Sequence, residues 1–148
     1  MRMEPVLEVQ RVVVIDDDRP GEAMRRTLDA LERSPNRAVV IHTASADDGL
    51  VLAALVAGAS AVVPKRGPRN ELTAAVDAAA RGGGVRPRIT IDALVEAAGL
   101  VDPDDIPILS MLVHGTSPAE IGEVLGVHER ELAGRRRRML NALLGDSR

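Results

Sequence analysis

Residues Val12-Val13-Val14-Ile15 form an uninterrupted β-branched run that ends directly in Asp16-Asp17-Asp18. A continuous apolar run, unlike an alternating one, is typical of a strand buried on both faces of a parallel sheet. The pattern returns at Ala38–Ile41 and again at Ala61–Val63. Three buried parallel strands are therefore predicted.

The segments between these runs carry apolar residues at helical spacing. After the turn residues Arg19-Pro20-Gly21, a first helix is predicted over Ala23–Arg33, and a second over Ser45–Ala57. Asn70 is predicted as the N-cap of a third helix, Glu71–Arg81. Strands and helices that alternate in this way predict an α/β fold with a parallel three-stranded sheet and right-handed crossovers.

Asp16, Thr43 and Lys65 each follow or end a predicted strand. In open α/β sheets the carboxyl ends of the strands form the ligand-binding crevice, so we expect these three residues to meet there. Lys65 is the only lysine beside eighteen arginines, and its compact ammonium suits a phosphate or a carboxylate cluster. The alternative is that Lys65 is a surface residue without a special role.

These residues resemble the second half of a receiver domain, the flavodoxin-like domain of two-component response regulators. Asp16 with Pro20-Gly21 matches the family's Asp-x-x-x-Pro-Gly, Thr43 its Thr or Ser, and Gly58-Ala59 with Lys65 its Gly-Ala-x-x-x-x-x-Lys. The resemblance implies that Asp16 is the phosphoacceptor, that Thr43 bonds the phosphoryl oxygen, and that Lys65 neutralises its charge. A histidine kinase would then be a partner.

The acidic pair that holds Mg²⁺ in receivers lies on an earlier strand, and only eleven residues precede Val12. Asp17 and Asp18 follow Asp16 directly and do not easily take that place. An alternative interpretation makes Val12–Asp18 the first strand with its acidic pair, which leaves no phosphoacceptor. In either case one part of the phosphorylation site is absent. We therefore expect no Mg²⁺ cofactor and no ordinary phosphorylation control.

The composition of the 148-residue chain restricts the kind of core, the metal sites and the cellular location that we expect. Without cysteine, phenylalanine, tyrosine or tryptophan, the core must be aliphatic, and disulfides and thiolate metal sites are excluded. His42, His114 and His128 share no ligand spacing, so no metal site is expected. The sequence has neither a signal-peptide pattern nor an apolar segment of membrane-spanning length, which predicts a cytoplasmic protein without a membrane partner.

A glycine-rich shift in composition over residues 82–88 predicts a domain boundary. Within residues 89–100, Ile91, Leu94, Val95 and Ala98 are predicted to share one helical face. The predicted divisions are a tail over 1–11, a partial receiver-like domain over 12–86, a helical linker over 87–100 and an all-α domain over 101–148.

The last segment carries three helical patterns. Val101-Asp102-Pro103 opens the first, Thr116-Ser117-Pro118 caps the second, and Gly126 separates the second from a third over His128–Leu144. Two helices joined by a tight glycine turn are typical of a helix-turn-helix. Residues 101–145 resemble the LuxR/FixJ-type helix-turn-helix. The whole chain is thus similar to an atypical, shortened response regulator of the NarL/FixJ type.

Positive charge within residues 101–148 is concentrated on the third predicted helix, although the segment as a whole has eight acidic and only six basic residues. Four arginines are predicted to contact DNA: Arg130, Arg135, Arg137 and Arg138. Arg137 is favoured for a base edge, whereas Arg136 lies on the buried stripe, four residues after Leu132, and must snorkel or splay the helix. A solvated charge run with no ligand is the alternative interpretation.

The predicted function is a DNA-binding transcriptional regulator of the response-regulator type without ordinary phosphorylation control. The main alternative is a degenerate module that binds a protein through its exposed sheet edge or its acidic first C-terminal helix. The resemblance to a receiver without its first two strands also implies that Val12–Ile15 is a bare apolar edge, so we expect a homodimer or a larger species formed through this strand or the helix beside it. An enzyme is not expected, because Asp16, Thr43 and Lys65 are the only polar constellation at the strand ends.

Overall fold

A parallel three-stranded sheet lies at the centre of the computed structural model, which describes residues 11–34, 36–44, 46–82 and 89–145. It consists of β1 (Val12–Asp16), β2 (Ala38–Thr43) and β3 (Ala61–Pro64) in the order β1-β2-β3. The predicted α/β class with three parallel strands is confirmed. Residues 1–10 of the predicted tail and 83–88 of the predicted boundary lie outside the described residues.

Helices cover both faces of the sheet. α1 (Pro20–Arg33) and α2 (Asp48–Ala57) pack on one face, and α3 (Arg69–Ala80) packs on the other. α1 connects β1 to β2 and α2 connects β2 to β3, as expected for parallel strands. The carboxyl ends of all three strands therefore meet at one edge.

Two of these helices begin earlier than the sequence predicted. α1 begins at Pro20 and not at Ala23, because proline suits a first helical position, where no backbone donor is needed. α3 begins at Arg69, directly after the extended residue Pro68. Asn70 therefore lies inside α3 and is not the predicted N-cap.

Every regular element among residues 89–145 is helical. In order these are α4 (Ile91–Leu100), a 3-10 turn (Pro103–Asp105), α5 (Ile106–Val113), α6 (Pro118–Leu125) and α7 (Glu129–Leu143). No helix in the described ranges combines the length and the apolar character that a membrane crossing needs.

Only part of the predicted apolar face of α4 is buried. Ile91 and Val95 are 79% and 66% exposed, whereas Leu94 packs against the core and Ala97 is buried. The small Ala97 lets the helix approach α2 and α7 closely. Helical spacing alone could not distinguish the two faces, because α4 carries apolar residues on both.

One apolar cluster runs from the sheet into the C-terminal helices. It joins Ile15 and Ile41 of the sheet with Leu52 of α2, Ile108 of α5 and Met139 of α7. A second, smaller cluster lies between the other face of the sheet and α3. The core is aliphatic, as the composition requires.

Candidate functional site

The strand ends bring Asp16 and Lys65 together at the carboxyl edge of the sheet. The Lys65 Nζ atom lies 2.6 Å from Asp16 Oδ1 and 3.0 Å from Asp18 Oδ1. Lys65 directly follows β3, and Asp16 is the last residue of β1. The structure thus brings Asp16 and Lys65 together, as the strand ends predicted, and the phosphoacceptor role of Asp16 stays a prediction.

Asp18 completes this cluster, although the sequence suggested it only as a possible member of an acidic pair for Mg²⁺. Its Oδ1 atom also accepts a hydrogen bond from the Ala44 N–H at 2.9 Å. The Lys65 ammonium, followed by the Ala44 N–H, lowers the pKa of Asp18, and hydrogen bonds to Asp16 and Asp18 raise the pKa of Lys65. The single ammonium of the chain is therefore shared between two carboxylates.

Thr43 and His42 occupy the end of β2. Thr43 is buried, and its backbone carbonyl accepts a hydrogen bond from the Lys65 N–H at 2.8 Å. His42 is the residue beside Asp16 in the strand register, and its Nδ1 atom lies 3.9 Å from Asp16 Oδ2. His42 thus adds an imidazole to the crevice, and its place directly before Thr43 was the available signal.

Asp17 serves the loop after β1. Its Oδ1 atom accepts hydrogen bonds from the Arg19 N–H at 2.9 Å and from Arg19 Nε at 3.0 Å. These bonds lower the pKa of Asp17 from 3.8 to about 2. Across the described ranges, no group of three or more His, Cys, Asp and Glu side chains is arranged to hold a metal ion.

α6 and α7 form a tight helix-turn-helix. The Ser117 hydroxyl caps α6 by accepting from the Glu120 N–H at 3.2 Å, and Gly126, with φ +67°, ends it. The Val127 N–H then donates to the Gly122 carbonyl at 3.0 Å. A Cβ atom at Gly122 would lie 2.9 Å from the Val127 oxygen, so glycine allows this close turn. The arrangement is the one that the sequence predicted.

The solvent-facing side of α7 is a stripe formed by Arg130, Gly134, Arg138 and Asn141, all of which are exposed. Their spacing of four, four and three residues places them on one side of the helix. Glu131 is exposed beside this outer stripe. Two of the four arginines predicted to contact DNA therefore lie on the accessible side of α7.

Asp105 forms ion pairs with two arginines of α7, Arg135 and Arg138. Its carboxylate is fully buried and accepts from Arg135 Nε at 2.7 Å, and from Arg138 through Nε at 3.0 Å and Nη2 at 2.8 Å. Burial alone would raise the pKa of Asp105, but the hydrogen bonds from Arg138 and Arg135 outweigh it and lower the pKa. Sequence reasoning missed this role, although Asp105 shares the helical face of Ile108 and Leu109.

Arg136 and Arg137 point towards the α/β part of the chain. Arg137 donates through Nη2 to the carboxylate of Glu32 in α1. The prediction that Arg136 snorkels towards solvent is wrong, because its guanidinium points inwards and donates through Nε to the backbone carbonyl of Val56 in α2 at 2.9 Å. Desolvation by burial lowers the pKa of Arg136. All four consecutive arginines of α7 thus have partners within the chain.

The fold and the site define a parallel α/β unit joined to a helix-turn-helix. No protein-family model matches the chain, and no curated protein matches it. Similar folds occur in solved structures of the two-component response regulator RcsB. One is an RcsB–DNA complex, with 18% identity and a TM-score of 0.45 over 93% of this chain and 70% of that chain.

Two further structures come from Salmonella. RcsB from Salmonella typhimurium has 18% identity and a TM-score of 0.46 over 91% of this chain and 74% of that chain. RcsB from Salmonella enterica serovar Typhimurium, bound to a promoter with the phosphomimetic BeF3⁻, has 19% identity and a TM-score of 0.46 over 91% and 69%.

Proposed function

We propose that this chain is a DNA-binding transcriptional regulator of the response-regulator type, with DNA meeting the outer stripe of α7. One observation carries the proposal: the helix-turn-helix leaves Arg130, Gly134 and Arg138 exposed along one side of its second helix. Gly134 lacks a side chain, so a nucleic-acid backbone or groove wall can approach α7 closely there. The flanking arginines suit phosphate oxygens.

The four arginines that are proposed to contact DNA differ in how freely their guanidinium groups can bind a phosphate. Arg130 makes no ion pair with another described residue, so its guanidinium can meet a phosphate without first breaking a contact. Arg138 is already hydrogen-bonded to Asp105, but half of its side chain is exposed. Arg135 and Arg137 are predicted DNA contacts that must share or exchange their present carboxylate partners. We therefore place Arg130 first among the four.

We further propose that ordinary Mg²⁺-dependent phosphorylation does not control this protein. The Lys65 ammonium already binds Asp16 and Asp18, and in the described ranges no group of three or more His, Cys, Asp and Glu side chains is arranged to hold a metal ion beside them. After treatment with acetyl phosphate and Mg²⁺, intact-mass measurement is expected to show no added phosphoryl group. A stoichiometric adduct that disappears in Asp16→Asn would overturn this proposal and would indicate a histidine kinase as a partner.

Salt-dependent DNA binding tests the main proposal. Labelled genomic and random fragments are titrated by fluorescence anisotropy at several salt concentrations. Arg130→Ala is expected to weaken binding to all fragments and to reduce the slope of log K against log salt by about 1. Arg81→Ala removes the same charge at the exposed end of α3 and serves as the control. Equal affinity and slope for both variants would refute the DNA-binding assignment of α7.

A second candidate function is a protein-interaction module in the cytoplasm. Two features favour it: the four consecutive arginines 135–138 of α7 have partners within the chain, and among the described residues β1 pairs on one side only, with Val14 42% exposed. Ala38 donates to the Arg11 carbonyl, and Asp17 donates to the His42 carbonyl. Backbone groups alternate along a strand, so those of Val12, Val14 and Asp16 face away from β2. An open edge of this kind can pair with another strand, including that of a second copy.

A further inference from the structure

α2 is apolar on all sides and lies between the two halves of the chain. Its buried residues are Leu50, Leu52, Ala53, Ala54, Val56 and Ala57. A helix without a polar face must be covered all round. The sheet and α1 cover one side of α2, and α4, α5 and α7 cover the other. The α/β unit therefore depends on the C-terminal helices to bury its second helix.

The C-terminus of α2 has an unusual partner. Val56 is fully buried, and its carbonyl is among the last four of the helix, which lack intrahelical donors. The Ser60 N–H, which would continue the helical pattern, donates instead to the Val39 carbonyl at 2.7 Å. The donor to the Val56 carbonyl is Arg136 Nε of α7, at 2.9 Å. A residue of the helix-turn-helix thus completes a helix of the α/β unit.

Gly58 makes this contact possible. It adopts φ +100°, the left-handed conformation that ends α2. A Cβ atom at Gly58 would lie 2.9 Å from Arg136 Nη2 and 2.9 Å from Leu31 Cδ1. The guanidinium also sits at the negative end of the helix dipole, where a cation is favoured. The absence of a side chain at Gly58, the hydrogen bond to the Val56 carbonyl and the helix dipole thus all favour the Arg136 guanidinium at the C-terminus of α2.

We propose that Arg136 is a positioning residue that closes α2, and that the α/β unit and the helix-turn-helix, which share one apolar cluster, fold as a single cooperative unit. α7 is then held permanently against α2, and its outer stripe keeps one fixed orientation. The Arg137–Glu32 pair adds little to this attachment, because both side chains are about half exposed. This role of Arg136 in folding does not depend on whether α7 binds DNA.

Native-state hydrogen exchange of the full chain tests it. Arg136→Met keeps the apolar stem but removes the donor, and leaves the buried Val56 carbonyl without this partner. The protection factors of the β2 and α7 amides are both expected to fall by about tenfold or more, and by the same factor. Arg130→Met changes an exposed residue of the same helix in the same way and is expected to leave both unchanged.

A third variant, Arg136→Lys, keeps the experiment decisive if Arg136→Met does not fold. Arg136→Lys retains a donor on a similar stem, so it is expected to fold and to lose less protection than Arg136→Met. If Arg136→Met unfolds β2 and α7 together while Arg136→Lys and Arg130→Met stay folded, the proposal is supported. Loss of protection in α7 with unchanged β2 amides would show two independent units. No change in either element would show that Arg136 does not complete α2. Both of these results overturn the proposal.

Discussion

The Nε atom of Arg135 lies 2.7 Å from the Oδ1 atom of Asp105, a carboxylate that solvent does not reach. This ion pair joins the turn before α5 to the middle of α7. The Arg135 guanidinium therefore points inwards, and the positive charge exposed on the surface of α7 is smaller than the number of its arginines suggests. The net charge of residues 101–148 is thus a poor guide to the potential along the outer stripe.

Substitution of Asp105 tests the structural role of this pair. Asp105→Asn keeps the side-chain shape but leaves two arginines without a buried counter-charge, so the free energy of unfolding is expected to fall by about 3 kcal/mol. Chemical denaturation followed by circular dichroism measures it, since the chain lacks aromatic residues for fluorescence. Asp104→Asn, an exposed neighbour, is the control, and equal stability of the two variants would contradict the role.

Stability is expected to decrease in acid, in part because of Asp17. Its pKa falls from 3.8 to about 2 on folding, so the unfolded chain binds a proton before the folded chain does. The contribution is therefore present above pH 3.8 and is lost as the pH falls towards 2. In Asp17→Asn, urea midpoints measured between pH 5 and pH 2 are expected to fall less steeply than in the wild type. Identical slopes would show that Asp17 gains nothing from Arg19.

Glu32 restrains Arg137, which the sequence predicts as a base contact. Glu32→Gln removes the carboxylate partner and one negative charge near the proposed DNA surface, so DNA affinity is expected to rise at low salt and to converge with wild type at high salt. Asp29→Asn makes the same charge change on α1 and is the control. If affinity rises equally in both, the effect comes from net charge and not from release of Arg137.

The open edge of β1 predicts a homodimer. Val14 is the residue to change, because Val13 packs against the core and its substitution would also cost stability. Val14→Lys is expected to convert the dimer into a monomer, since a charged side chain blocks strand pairing at an edge. Light scattering measures the mass of both proteins. A wild-type monomer at high concentration would refute the dimer.

Continuous apolar runs and glycine or proline positions were sufficient to predict the sheet and most helices. The runs beginning at Val12, Ala38 and Ala61 are β1, β2 and β3, and Gly126 separates α6 from α7. Helix starts were less predictable, because Pro20 and Pro68 begin or precede helices earlier than the apolar pattern does. The burial of α4 was predicted only in part for a different reason: Leu94 packs against the core and Ala97 is buried, while Ile91 and Val95 of the predicted face stay exposed.

The candidate site was predictable only in part. Asp16 and Lys65 meet because parallel strands end at one edge, a rule that needs no tertiary information. Asp105 and Arg136 act through partners tens of residues away, and nothing in their local sequence identifies those partners. A buried charge is placed by the whole fold, since its cost is offset only where specific donors or acceptors converge.

The contact between Arg136 and Val56 also bears on the order in which the protein is made. The two residues are eighty positions apart. On a ribosome that adds roughly 5–20 residues per second, α2 emerges about 4–16 s before the arginine that completes it. During that interval the nascent chain carries an apolar helix with one side uncovered. The growing chain therefore exposes apolar surface of α2 that the folded protein buries.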